Sequence, residues 1–233
     1  MLISEFIAYL KYERRYSDHT LIAYQSDLEQ FSMYLKENFQ IHEIEKAEAI
    51  EVRTWLVSMM ESGLNAKTVN RKITSLKTFY RFLLRKGVVE SSPMSKVSSP
   101  KNPKRLPVAI EQEKMKSLFE KIEQPNCFDD FRNLLIIEMF YATGIRLSEL
   151  INIRFLSIDY GQGTIKVLGK RNKERIIPIS KALEDRVRAY RSYREEIDCE
   201  EDAKDFLFVT SKGKKMNPRL VYTVVNSYLS NIT

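Results

Sequence analysis

The chain has 233 residues, 43% hydrophobic and 30% charged. That composition excludes a mostly disordered polymer and leaves room for one large domain or two small ones, each with a real core. No apolar run reaches the roughly 18 residues a membrane span needs, and the start, MLISEFIAYLKYERR, lacks the basic opening and cleavage site of a secretory signal. The net charge of +7 is unevenly placed. Residues 1–61 are acidic, residues 106–233 are nearly balanced, and residues 62–105 hold eleven basic side chains against a single acid, Glu90. From charge alone, a block this one-sided reads either as the electrostatic footprint of a polyanion partner or as a solvated helix face followed by a basic linker.

In chain order, residues 2–15 read as a short amphipathic helix with Leu2, Phe6, Tyr9 and Leu10 inward. Ser17 or Asp18 caps a second helix to about Glu37, and a third runs from about Glu48 to Glu61, stopped by Gly63. The fourth, 65–86, has Asn65 as its cap and Gly87 as its stop. Val69, Ile73, Leu76, Phe79, Tyr80, Leu83 and Leu84 share its apolar face. Lys67, Arg71, Lys77, Arg81 and Arg85 fall within roughly 120° on the other, a stripe with no acid on the same helix, suited to a phosphate backbone. Four helices in 1–90 predict a compact helical domain.

Residues 91–107 carry four of the seven prolines with Lys96, Lys101, Lys104 and Arg105, and read as an extended basic linker able to lie on phosphates. From 108 onward helices resume at about 111–123 and 129–142, then break at Thr143-Gly144. The period changes over 156–179, where three short strands are expected near 156–160, 164–168 and 174–179. A helix over 180–197 follows. FLFV at 206–209 is open between strand and helix start, SKGKK is a basic loop, and Pro218 opens a last helix to about Leu229. The fold class expected is mainly α with a small β-sheet.

Several chemistries lack their residues. No GxGxxG or GxxxxGK[ST] occurs, so a nucleotide loop is unsupported. The only histidines, His19 and His42, lie near the N-terminus, so neither a histidine metal site nor a Ser/His/Asp triad is expected. Cys127 and Cys199 fit no disulfide or zinc spacing and point to a reducing cytoplasm.

Three passages, in this order, carry a family resemblance. They are SDHTLIAYQSDLEQF (17–31) with NAKTVNRKITSLKTFYRFLLRKGVVESSP (65–93) and KNPKRLP (101–107); then YATGIRLSELINIRFLSID (141–159); then VLGKRNKERIIPIS (167–180). Together they resemble the tyrosine recombinase or phage-type integrase family, in its Xer-like branch. The resemblance implies a helical core-binding (SAM-like) domain over 1–90 and a partial α+β tyrosine-recombinase catalytic domain over 108–233. It implies double-stranded DNA as partner, recombinase protomers in a tetramer on DNA, and no cofactor, metal, membrane or small-molecule substrate.

On the matching positions, Arg146 is implied to hold the non-bridging oxygens of the scissile phosphate. A planar guanidinium suits that task because it binds two oxygens at once and keeps its charge. Its place at a helix start is expected to add amide donors for an anion. Lys170 is implied to donate a proton to the leaving 5′-oxygen, its pKa lowered by neighbouring cations. Arg171 stands where the family often has glycine. Lys173 and Arg175 are expected on the phosphate backbone or in the minor groove, and Lys212, Lys214 and Lys215 belong to the same class. The plain alternative for Arg146 is an ordinary surface arginine paired with Glu149 or Glu138, and Glu149 is expected to be its structural partner rather than a base.

The family further implies an HxxR pair, a later His or Trp, and a tyrosine nucleophile. No histidine follows His42, Trp55 reads as core of the first domain, Arg219 lacks its preceding histidine, and Tyr222 and Tyr228 are expected to pack in the last helix. The expectation is therefore a C-terminally truncated recombinase that binds DNA and does not cleave it. The alternatives are a non-catalytic DNA-binding regulatory protein on the same scaffold, or a helical protein-interaction module whose basic stripe meets an acidic partner.

Overall fold

In the computed structural model, which describes residues 1–102, 110–121, 125, 127–169 and 173–230, the chain divides into two units, Met1–Leu106 and Pro107–Thr233. The first contains α1 (Leu2–Tyr12), α2 (Asp18–Phe39), α3 (Ala49–Glu61) and α4 (Ala66–Lys86). Their ends follow from local chemistry. The Asn65 side chain accepts from the Thr68 amide at 2.9 Å, and Gly87 closes α4 with a φ of 69°, a left-handed turn that costs glycine nothing. Glu48 and Glu51 cap α3 reciprocally.

The apolar faces meet in one core. Phe6, Leu28, Phe31, Leu35, Val52, Val69, Leu76, Phe79 and Leu83 are wholly buried, and Trp55 packs beside Phe31 with ring centroids 4.9 Å apart. Each such side chain contributes roughly 1.5–3 kcal/mol on leaving water. Tyr80 is equally buried and donates its hydroxyl to the Ile44 carbonyl. Burial pushes the pKa of its phenol up.

An extended path is expected over 91–107; the described part, 91–102, departs from it, and 103–107 lie outside the described residues. Pro93–Lys96 forms a 3-10 turn, capped by Ser92, and buries Met94 and Val97 in the first core. The Arg53 guanidinium donates to the Lys96 carbonyl at 2.7 Å, and the Asn70 amide to the Pro100 carbonyl at 2.9 Å. Two apolar residues among the prolines and serines are enough to fasten the segment to α3 and α4.

The second unit contains α5 (Gln112–Lys121), α6 (Phe128–Thr143), α7 (Leu147–Leu150), β1 (Ile158–Asp159), β2 (Thr164–Leu168), β3 (Glu174–Pro178), α8 (Lys181–Glu195) and α9 (Pro218–Leu229). The strands form an antiparallel sheet in the order β1-β2-β3, with Ile165 opposite Ile177 and Val167 opposite Arg175. The first strand is shorter than expected because Phe155–Ser157 turns as a 3-10 helix. FLFV is neither full strand nor helix. Phe206 bridges Arg154, Val209 bridges Lys215, and Leu207 and Phe208 enter the core with Leu135, Leu150, Ile165, Val187 and Tyr190. The chain is thus mainly helical with a small antiparallel sheet. Among the described residues no helix is long and apolar enough to cross a membrane.

Candidate nucleic-acid interface

In the first unit the stripe on α4 lies on the surface, with Lys67, Arg81 and Arg85 exposed and Lys77 half-buried. Its cations are not all unpaired, contrary to the expectation from α4 alone. Arg71 donates from Nη1 to Oδ2 of Asp27 on α2 at 2.5 Å, so an acid from another helix meets the stripe. The Arg85 guanidinium lies 4.4 Å from the Tyr9 ring centroid, an arrangement that holds it against the surface without removing its charge. Lys101 is exposed next to Asn102, whose side-chain oxygen accepts from Asn70 at 3.3 Å. Lys104 and Arg105 lie outside the described residues.

In the second unit, Gly144 ends α6 in a left-handed conformation and turns the chain so that Arg146 opens α7. The buried carboxylate of Glu149 organises the site. Its Oε1 accepts from Arg146 Nη1 at 2.9 Å, and its Oε2 accepts from the Arg146 amide at 2.9 Å and from Arg175 Nη2 at 2.6 Å. Burial raises the Glu149 pKa, but the Arg175 hydrogen bond, the two from Arg146 and the Arg175 charge outweigh it and bring it down to about 2. The carboxylate is therefore ionised at neutral pH and cannot serve there as a proton donor. Both side chains remain partly accessible, that of Arg146 being 62% exposed and that of Arg175 39%, although Arg175 Nε is itself buried.

Glu149 rather than Glu138 is the partner of Arg146, while Glu138 pairs with Arg186 at 3.2 Å. The expectation of extra amide donors at this helix start is corrected. α7 is a single turn of four residues, and the Arg146 amide is already taken by Glu149.

The hairpin reaches the same place. A Cβ built on Gly169 would stand 3.2 Å from Glu149 Oε1 and 3.3 Å from the Lys173 carbonyl, so the hairpin root approaches this closely because position 169 has no side chain. The Gly169 amide donates to that Lys173 carbonyl at 2.7 Å. Lys173 is exposed at the hairpin mouth, and Lys170 and Arg171 lie outside the described residues. The structure thus brings together Arg146, Glu149, Gly169 and Arg175, with the backbone of Lys173 beside Gly169. The link from Arg175 to Glu149 was missed in the sequence, where parity is its only signal: Arg175 and Ile177 share one strand face, and Ile177 is core.

Of the loop cations, Lys212 is exposed and the other two have their own attachments. Lys214 pairs with Glu200 at 2.8 Å, and Lys215 donates to Asn152 Oδ1 at 2.6 Å. Trp55 is core as expected, and Tyr228 packs with Met115, Leu118 and Ile137. Tyr222 does not pack; it is 68% exposed. The faces of α9 explain this, since Val221 and Val224 take the buried side. Among the described residues no group of three or more His, Cys, Asp or Glu side chains could hold a metal.

Comparison with known proteins gives a consistent picture. The model of the phage integrase N-terminal SAM-like domain matches residues 3–87, and that of the phage integrase family matches residues 109–232. Tyrosine recombinase XerC of Chlorobaculum parvum is 31% identical over 255 residues, covering 99% of this chain and 76% of that protein. Tyrosine recombinase XerC of Staphylococcus epidermidis is 38% identical over 223 residues, covering 95% and 73%. Among solved structures, the Tn1549 transposon integrase in complex with transposon right end DNA is similar with a TM-score of 0.75 at 17% identity, covering 99% of this chain and 79% of that one. A lambda integrase tetramer bound to a Holliday junction gives 0.68 at 14% identity, covering 98% and 65%. At these identities the structures speak to the fold alone.

Proposed function

Because the chain belongs to the phage integrase family, we propose that it serves site-specific recombination by binding duplex DNA through both units, and that it does not cleave DNA by itself. The observation that carries the reading is the Glu149 carboxylate with Arg146 and Arg175 both hydrogen-bonded to it. One buried anion shared by two accessible cations leaves a net positive site whose guanidiniums are already oriented. Such a site suits the two non-bridging oxygens of a phosphodiester and needs little reorganisation as charge builds in a transition state. Lys170, which follows Gly169 at the hairpin root, is the proposed proton donor to a leaving 5′-oxygen. On the first unit, Lys67, Arg71, Lys77, Arg81 and Arg85, joined by Lys101, Lys104 and Arg105, are the proposed backbone contacts. Lys173 and Arg171 extend the contact from the hairpin. These residues position DNA through phosphates and carry no base readout of their own.

Strand cleavage in this chemistry needs an oxygen nucleophile that forms a phosphotyrosyl bond and so conserves the energy for rejoining. No HxxR occurs in the 233 residues. Cations alone stabilise charge and break no bond. Further recombinase protomers on paired DNA sites are the proposed partners, by analogy with the lambda integrase tetramer.

A duplex nicked opposite a candidate site, incubated with the chain and run under denaturing conditions, tests the non-cleaving part. The expected result is no protein-linked DNA. A denaturant-resistant adduct that disappears in Tyr222→Phe would overturn it, since Tyr222 is the exposed tyrosine of α9.

A further inference from the structure

The cluster around Asp27 lies outside the phosphate site just described, and its two oxygens do different things. Asp27 is buried on α2. Its Oδ1 accepts from Lys72 Nζ at 2.9 Å, and Lys72 also donates to Gln30 Oε1 at 2.6 Å and lies 5.7 Å from the Trp55 ring centroid. That half is structural: a lysine side chain only 5% exposed needs a counter-ion. Oδ2 has turned the other way. It accepts from Ser75 Oγ at 2.7 Å and from Arg71 Nη1 at 2.5 Å, and the Arg71 side chain is 46% exposed on the basic face of α4.

A buried carboxylate beneath a face built to meet phosphates should be a cost, since its charge opposes that of the cations above it. Lys72 alone does not explain it, because Oδ1 and Gln30 already serve Lys72. What Oδ2 adds is a fixed geometry for Arg71. A free arginine loses its rotamer freedom when a phosphate captures it. One held in advance by a buried, doubly anchored carboxylate has lost that freedom on folding and still presents its other nitrogens. This deepens the reading of α4 as a DNA-binding face and rests on it.

We propose that Asp27 is a positioning residue for DNA binding: from α2 it locks Arg71 of α4 in the orientation that meets a backbone phosphate. Charge and orientation make different predictions. If Asp27 only neutralises, removing it alone strengthens DNA binding, and removing it together with the Lys72 charge leaves binding unchanged. If it positions, binding weakens in both cases.

The test measures affinity for a labelled duplex by fluorescence anisotropy on the full chain, with the fold checked by circular dichroism. The main variant is Asp27→Ala with Lys72→Met. It leaves the net charge unchanged and removes the buried cation together with its counter-ion, an exchange that folded proteins usually tolerate. The expected result is binding about fivefold weaker than wild type, the cost of one newly mobile side chain, with no further loss when the pair is added to Arg71→Ala. Asp27→Glu keeps the charge, displaces the carboxylate by one methylene, and is expected to weaken binding too; it decides the matter should the double variant not fold. Equal or tighter binding by the folded variant, or the same loss in the Arg71→Ala background, overturns the proposal. A wild type that does not bind, or an Arg71→Ala protein that binds as tightly as wild type, overturns instead the reading of α4 on which the proposal rests, and the proposal with it.

Discussion

Gly213→Ala is expected to lower the melting temperature of the second unit by roughly 10 °C or more, for a loss of about 3 kcal/mol. Gly213 sits in the basic loop with φ at 70°, and a Cβ there would lie 2.0 Å from the Asp198 carbonyl oxygen and 2.8 Å from Cys199 Cα. Both obstacles are backbone, so no side chain can swing aside. The loop is tied down on the same side, where the Glu200 amide donates to the Gly213 carbonyl at 3.1 Å. Relief would break that hydrogen bond and the Lys214 ion pair with Glu200. Gly63→Ala is the control. Gly63 has φ at 86° with open space around it, so it should cost only about 1–2 kcal/mol for the left-handed backbone. Thermal unfolding of both variants checks the contrast.

The second large effect is electrostatic. Glu149→Gln is expected to destabilise the second unit at neutral pH by on the order of 2 kcal/mol, and to remove part of its acid sensitivity. The sign follows from the direction of the shift. The folded carboxyl titrates at about 2, below its ordinary value of 4.5, so the unfolded chain binds the proton more tightly. The stabilisation is fully present above about pH 4.5 and is lost as the pH falls through that value toward 2. The exposure of Arg146 and Arg175 to solvent screens the effect, which is why the expected loss is smaller than the full shift implies. Urea unfolding of wild type and variant between pH 7 and pH 2 checks it, since the stability gap should close at the acid end. A constant gap would mean that Glu149 acts by shape rather than by charge.

What the sequence could disclose depended on how local each interaction is. The four helices of the first unit follow from apolar periodicity and from caps such as Asn65 and Gly87, both set within one turn. The pairing of Arg146 with Glu149 was legible for the same reason, three residues apart on one turn. The Asp27 contact with Arg71 was not, because the partners are 44 positions apart and α4 on its own holds no acid. Lys72, which charge alone would place on the surface, is buried because Asp27 and Gln30 wait on α2. Met94 and Val97 were hidden among prolines and serines, whose composition says linker while two side chains say core. The apolar character of VYTVVNSYL points to packing for Tyr222, but a helix buries one face only, and Val221 and Val224 occupy it. Gly213 gave no signal, since its need for glycine comes from Asp198, on a loop distant in sequence.

The central claim is that the cations of α4 and the second unit bind duplex DNA through its phosphates, and a salt titration of duplex affinity tests it most directly. If Lys67, Arg71, Lys77, Arg81 and Arg85 contact about five phosphates, the logarithm of the association constant should fall against the logarithm of salt concentration with a slope of roughly −4 to −5, and steeper as the hairpin cations join. Replacing Arg81 and Arg85 together by alanine should flatten that slope by about 2. Absence of binding at low salt, or a slope near zero, would contradict the account.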